Sequence, residues 1–188
     1  MGAASGQITK EFDIPSKSPA VYVYDYIHQG GLQYSSKNTI MIGFLGSILD
    51  NIFTATLREE MGGTYSPQSW AQFSPFDNEW SLQWFVITNA DVQKAIRDRA
   101  FEEFNKLLQN GASADNFNKV KEAEIKQYEN RVRTNAYWIR SLNYYNNGFN
   151  NITDYKSALE SITLDEFNKF IKNLYNGQNN IEVVGDAK

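Results

Sequence analysis

Apolar side chains recur every three or four residues ahead of a glycine pair: Met41, Phe44, Leu45, Ile48, Leu49, Ile52, Phe53 and Leu57. That period is the stripe of an amphipathic helix, and it predicts a first helix over residues 36–61 with Ser36 or Asn38 as its N-cap. Gly62-Gly63 then supplies the positive-φ residue that stops a helix. Upstream the period is two. Tyr22, Tyr24 and Tyr26 alternate with Val21, Val23 and Ile27, which predicts a strand over 20–28 with three tyrosines on one face. Residues 10–19, with Pro15 and Pro19, read as a lead-in to it. Two strands follow the glycine pair. In 64–74, Ser69, Ala71 and Phe73 alternate with Trp70 and Gln72; in 79–88, Trp80, Leu82, Trp84 and Val86 face away from Ser81 and Gln83. Pro75-Phe76-Asp77-Asn78 suits the hairpin loop between them.

The second half has a helical period. Val92, Ile96, Ala100, Phe104 and Leu108 step by fours to a stop at Asn110-Gly111. Ser113 is the expected N-cap of the next helix, which carries Phe117, Val120, Tyr128, Val132, Ile139 and Leu142; without an internal breaker it is predicted to run on to Tyr145. A short helix over 154–162 precedes the capping box Thr163-Leu-Asp-Glu166, a helix with Phe167, Phe170, Ile171 and Leu174, a stop at Gly177, and a last strand with Ile181, Val183 and Val184. Helices clustered after a few strands predict an α+β fold, a mostly antiparallel sheet with helices packed on one face.

Composition narrows the function classes. The 188 residues are enough for one domain with a sizeable core, and 41% hydrophobic residues are those of a folded chain. A net charge of -4 with no dense basic cluster argues against a nucleic-acid partner. No uninterrupted apolar run approaches the roughly 18 residues of a membrane span, so no membrane partner is expected. Residues 1–9 read as a cloning or linker remnant and 10–188 as a single domain. With no cysteine, thiolate sites and disulfides are excluded.

One corner carries more than structure. In Leu57-Arg-Glu-Glu-Met-Gly-Gly-Thr-Tyr-Ser66, Arg58 falls in the last helical turn and Tyr65 at the mouth of the next strand, so their polar ends can converge. The residues alone allow two readings: a substrate-facing pair, or an arginine set against the helix dipole beside a packed tyrosine. This stretch closely resembles the signature of the C-terminal, non-catalytic domains of pitrilysin/insulysin-type zinc peptidases, the inverted zincins. The element order, Asn135-Ala-Tyr-Trp138 followed by Leu142, Gly148, and Leu159-x-x-Ile162-Thr163 extend the resemblance from about Lys10 to Gly185. It implies the processing-peptidase-like repeat domain, closing a peptide chamber, with Arg58 and Tyr65 as substrate-binding residues. It further implies zinc in the N-terminal half of a parent protein, that half or an equivalent subunit as partner, a peptide as substrate, and an exported location such as the bacterial periplasm. A scaffold module of the same fold is the alternative.

The chain itself lacks the chemistry of the reaction. An inverted zincin needs H-x-x-E-H on a helix and a further downstream Glu. Here Thr39-Ile-Met-Ile-Gly-Phe44 stands where the motif would align, and the lone His28 ends a strand. The expectation is a chain with no metal site and no catalytic residue, inactive by itself. No G-x-S-x-G elbow, G-x-G-x-x-G or P-loop is present. The carboxylates of Asp98, Glu102, Glu103, Asp165 and Glu166 are expected on solvated helix faces. Trp80, Leu82 and Trp84 are expected to pack under the helices, and Trp138 in the core. Trp70, Phe73 and Phe76 are candidates to line a chamber.

Overall fold

The computed structural model describes residues 6–15, 20–175 and 179–187. One sheet of five strands has the order β1-β5-β2-β4-β3. Its strands are β1 (Gln7–Ile14), β2 (Val21–Gly30), β3 (Gln68–Ser74), β4 (Glu79–Thr88) and β5 (Asn180–Ala187). All neighbours are antiparallel except β1, which runs parallel to β5. The fold is α+β with a mostly antiparallel sheet, as the patterns predict. β1 was not legible: where a lead-in was expected from Lys10, a strand begins at Gln7. As an edge strand it touches the sheet on one side only. Its sequence, Gln-Ile-Thr-Lys-Glu-Phe-Asp-Ile, is therefore largely exposed and lacks a clean alternation.

The helices are α1 (Ser36–Phe53), which continues as a π-helical segment Thr54–Glu60, then α2 (Gln93–Asn110), α3 (Ala114–Arg131), α4 (Asn135–Asn146), α5 (Tyr155–Ser161) and α6 (Leu164–Lys172). They pack on one face of the sheet. Trp80, Leu82, Trp84 and Val86 of β4 are buried there with Ile27, against Ile42, Leu45, Ile48, Leu49 and Phe53 of α1 and Ile96 and Phe104 of α2. Phe53 and Phe101 meet the Trp84 ring edge-on, with centroids 5.8 and 5.1 Å away. The 25 residues Ser36–Glu60 are long and apolar enough, by length and composition, to cross a membrane. Their apolar stripe is instead spent on this core.

α1 reaches the sheet by a close backbone approach. A Cβ added to Gly46 would stand 2.3 Å from the amide nitrogen of Ala71 and 2.8 Å from the carbonyl carbon of Trp70. Backbone cannot step aside as a side-chain tip can, so Gly46→Ala must lift the helix from β3 and with it the Asp50 carboxylate that accepts from the Ser69 amide at 2.8 Å. A loss of about 2–3 kcal/mol is expected. Urea unfolding of the variant, with an unchanged m-value, is the check.

Caps fall near their predicted places. Ser35, one residue before the predicted cap, holds α1 by accepting from the Asn38 amide at 3.0 Å. Ser113 caps α3 as expected (3.2 Å to the Asn116 amide), and Gly111 closes α2 at φ +84°. Only half of the predicted capping box forms. Thr163 Oγ1 accepts from the Glu166 amide, while the Glu166 carboxylate reaches across to Lys37 Nζ at 2.7 Å. The expected stop at Gly177 lies outside the described residues.

The single long helix predicted from Ser113 to Tyr145 is two. The chain turns at residues 132–134 and restarts on Thr134, whose hydroxyl accepts from the Tyr137 amide at 3.3 Å. The break swings α4 off the core, which corrects the expectation for Trp138. Its side chain is 42% exposed, with the indole N–H donating to the Val132 carbonyl at 2.8 Å. Ile139, Leu142 and Tyr145 are also exposed, so an apolar stripe at helical spacing lies bare along α4.

Candidate functional site

The corner is built by the end of the first helix. At Thr56 the hydroxyl accepts no helix amide but donates to the Ile52 carbonyl at 2.8 Å, the kind of side-chain competition that loosens a helical turn. The ladder widens to π spacing, with the Met61 amide bonded to the Thr56 carbonyl at 3.1 Å. Gly62 then takes φ +61°, and the amides of Gly62 and Gly63 close onto the carbonyls of Arg58 and Leu57 at 3.1 and 3.2 Å. The stop predicted from the glycine pair is thus realised in hydrogen bonds.

Two neighbours pin the corner in place. Thr88 Oγ1 donates to the Gly63 carbonyl at 2.6 Å, and Thr64 bridges to Thr88 at the end of β4. A Cβ on Gly63 would stand 2.4 Å from Ile96 Cδ1, so α2 lies directly against the turn. Arg99 of α2 adds an ion pair to Glu60 at 3.1 Å. None of these contacts was legible in the sequence beyond the stepping of Ile96 with the buried face of α2.

Arg58 and Tyr65 are brought together. The Arg58 guanidinium carbon lies 5.2 Å from the centre of the Tyr65 ring, within cation–π range. Tyr65 is 84% exposed, so its ring does not pack in the core of this domain. No ion pair between described residues uses Arg58, although Glu59 and Glu60 adjoin it. Among the described residues neither the guanidinium nor the phenol has a side-chain hydrogen-bond or ion-pair partner, so both can donate. The corner therefore offers a charged fork and a hydroxyl, side by side, to a carbonyl or a developing oxyanion.

His28, Phe73 and the helix carboxylates are engaged within the domain. His28 lies in β2 with its Nε2 2.7 Å from Glu79 and its ring stacked on Tyr26. Asp98, Glu102, Asp165 and Glu166 pair with lysines on exposed faces, but Glu103 is 9% exposed, held by Arg99 at 2.7 Å and Lys106 at 3.0 Å. Phe73 belongs to the core, while Trp70 (39% exposed) and Phe76 (53%) stand at the surface. A groove of about 330 Å³ opens between α1, α3 and α5, with Ser69 of β3 also lining it. There the Tyr155 hydroxyl donates to Glu124 at 2.7 Å, and burial with that carboxylate pushes its pKa well above the phenol range. Such a group keeps its proton and fixes α5 to α3.

No group of three or more His, Cys, Asp or Glu able to hold a metal occurs among the described residues. The residues of α1 do not fit a zinc ion: Ile40, Met41, Ile42 and Phe44 are buried hydrophobic side chains there.

Comparison with solved structures decides the fold. The periplasmic protease PqqL from Escherichia coli superposes with a TM-score of 0.76 at 15% identity, over 96% of this chain and 21% of its own. A peptidase M16 inactive domain from Pseudomonas fluorescens gives 0.73 at 16% identity, over 97% of this chain and 44% of its own. This is the fold of an M16 peptidase domain. The ferredoxin protease FusC, in complex with Arabidopsis ferredoxin, also carries this M16-type fold, with a TM-score of 0.76 at 14% identity over 97% of this chain and 20% of its own. The chain thus spans from about a fifth to under half of the structures it matches. No protein-family model matches the sequence, and no curated protein matches it.

Proposed function

We propose that this chain is a non-catalytic domain of a zinc metallopeptidase, one that closes the peptide chamber and hydrogen-bonds the substrate through Arg58 and Tyr65. The observation that carries the reading is the corner itself. A guanidinium without a carboxylate partner among the described residues lies over a tyrosine that is 84% exposed, on a turn fixed by Thr88, Ile96 and Arg99. Groups held in this way lose little freedom on meeting a ligand. The M16-type fold, filling only part of larger proteases, supports a domain that works within a larger enzyme. Zinc and the water-activating glutamate belong, in this proposal, to the N-terminal half of the parent or to an equivalent subunit.

The test separates contribution from catalysis. Purified alone, the chain is expected to hold no stoichiometric zinc and to cleave no peptide. Mixed with the H-x-x-E-H-bearing portion of its parent, it is expected to restore cleavage. Zinc-dependent cleavage by the chain alone would overturn the proposal.

The bare stripe on α4 favours a second reading, a structural module. Trp138, Ile139, Leu142 and Tyr145 are 42–71% exposed on one helix. An apolar stripe of this kind fits another domain of the same parent. The double variant Ile139→Ser/Leu142→Ser is expected to keep the melting temperature, because both positions are already exposed, and to weaken co-elution with the rest of the parent in size-exclusion chromatography. Unchanged co-elution would remove this reading.

A further inference from the structure

The helices cover one face of the sheet, and the opposite face has a composition of its own. Register places Tyr22, Tyr24 and Tyr26 of β2 beside Phe85 and Gln83 of β4, with Trp70 of β3 beyond them. Tyr22 stacks on Phe85 at 6.3 Å, and the Tyr24 hydroxyl donates to the Gln83 amide oxygen. At the margins Phe12 is 51%, Ile87 41% and Trp70 39% exposed. The chain has 18 basic and 22 acidic residues, yet of these only Lys10 and Glu79 fall at positions of this face by strand alternation, and Glu79 is tied to His28. A surface of aromatic rings tipped with hydroxyls and amides, almost free of charge, penalises a charged ligand by desolvation and favours an uncharged one.

The face also runs into the proposed site. Thr64 bridges to Thr88, so the next residues along, Tyr65 and Ile87, meet at the same end of the sheet. We infer that this helix-free face is the bed for an uncharged segment of the substrate polypeptide, rich in aromatic and aliphatic side chains, that leads away from the Arg58–Tyr65 corner. The inference rests on the peptide reading proposed above and adds to it a substrate class: extended segments without charge. Exposed rings supply contact area at small cost in conformational freedom, and the interleaved Gln68, Gln72 and Gln83 side chains suit backbone amides.

The experiment uses the purified chain and two fluorescein-labelled dodecapeptides, one repeating Val-Tyr-Ser-Leu and one with Glu at every serine, followed by anisotropy. The uncharged peptide is expected to bind at least about tenfold more tightly than the acidic one. Trp70→Ala and Gln72→Glu are each expected to weaken it about tenfold at unchanged melting temperature. Gln72→Glu adds a charge at an exposed edge position and removes no packing, so it decides the matter even if Trp70→Ala disturbs the fold. Equal binding of the two peptides, binding of neither, or indifference to both face variants would overturn the inference. If Arg58→Ala and Tyr65→Phe abolish binding while the face variants do not, the corner reading stands and this one falls. Loss with the face variants but not with the corner variants would leave this inference standing and sink the corner reading. Face-dependent binding of chitohexaose in place of the peptide, or a face-dependent dimer in light scattering without peptide binding, would likewise overturn it.

Discussion

Replacing Asp25 by asparagine is expected to make the protein more stable at pH 8 and to flatten its stability between about pH 4 and 7. Asp25 lies on the helix-facing side of β2 and is 1% exposed, its Oδ1 without a hydrogen-bond partner among the described residues. Across the β2–β5 pairing it stands opposite Glu182, which is 5% exposed. Trp84 flanks it on β4 and Asn180 follows on β5. The charge that faces them from the helices is Arg97 of α2, whose Nε donates to Glu182 at 2.9 Å. Burial first, and then the Glu182 carboxylate, raise the Asp25 pKa from 3.8 to about 7, against weaker lowering by Asn180, Trp84 and Arg97. The sign follows directly. Between those two values the folded chain holds a proton that the unfolded chain has released, so stability falls as pH rises through this window and levels off above about 7. At about 1.4 kcal/mol per pH unit the gap corresponds to about 4 kcal/mol. An asparagine removes the cost of ionisation and can donate to Glu182. Guanidinium unfolding of both proteins from pH 4 to 8 is the check. A stability difference between variant and wild type that stays constant across that range would show that Asp25 is already ionised at pH 4.

Where one periodicity dominates a segment, the sequence reading and the structure coincide. The alternation of β2 and β4, the α1 stripe and the glycine stop at residues 62–63 all appear as read. The failures have physical causes. β1 is an edge strand whose lateral partner, β5, is 173 residues away at Gln7–Asn180, and its exposed charges erase the alternation. The break before α4 is signalled only by Thr134, a favourable N-cap residue, and the apolar stripe runs on through it. Continuity of that stripe suggested a core helix, yet its last third is bare. The corner was legible as a meeting of Arg58 and Tyr65 because a positive-φ glycine reverses the chain over seven residues. The contacts that hold it come from Thr88, Ile96 and Arg99, remote in sequence and ordinary in type.

The central claim is that Arg58 and Tyr65 act on a bound peptide in the assembled peptidase. Preorganised donors are worth most where charge develops in the transition state, and losing one costs on the order of 10²–10³ in rate where an enzyme depends on it. Arg58→Ala removes the charged fork. Tyr65→Phe keeps the ring beneath the guanidinium and takes only the hydroxyl, so the two variants separate stacking from hydrogen bonding. Neither side chain is buried, so neither change is expected to move the melting temperature. The decisive measurement is kcat/KM for peptide cleavage by the full-length parent and these two variants, with zinc content determined on the same samples. A fall of about 10²-fold or more in both variants at unchanged zinc is the predicted result. Wild-type kcat/KM in both variants would contradict the account.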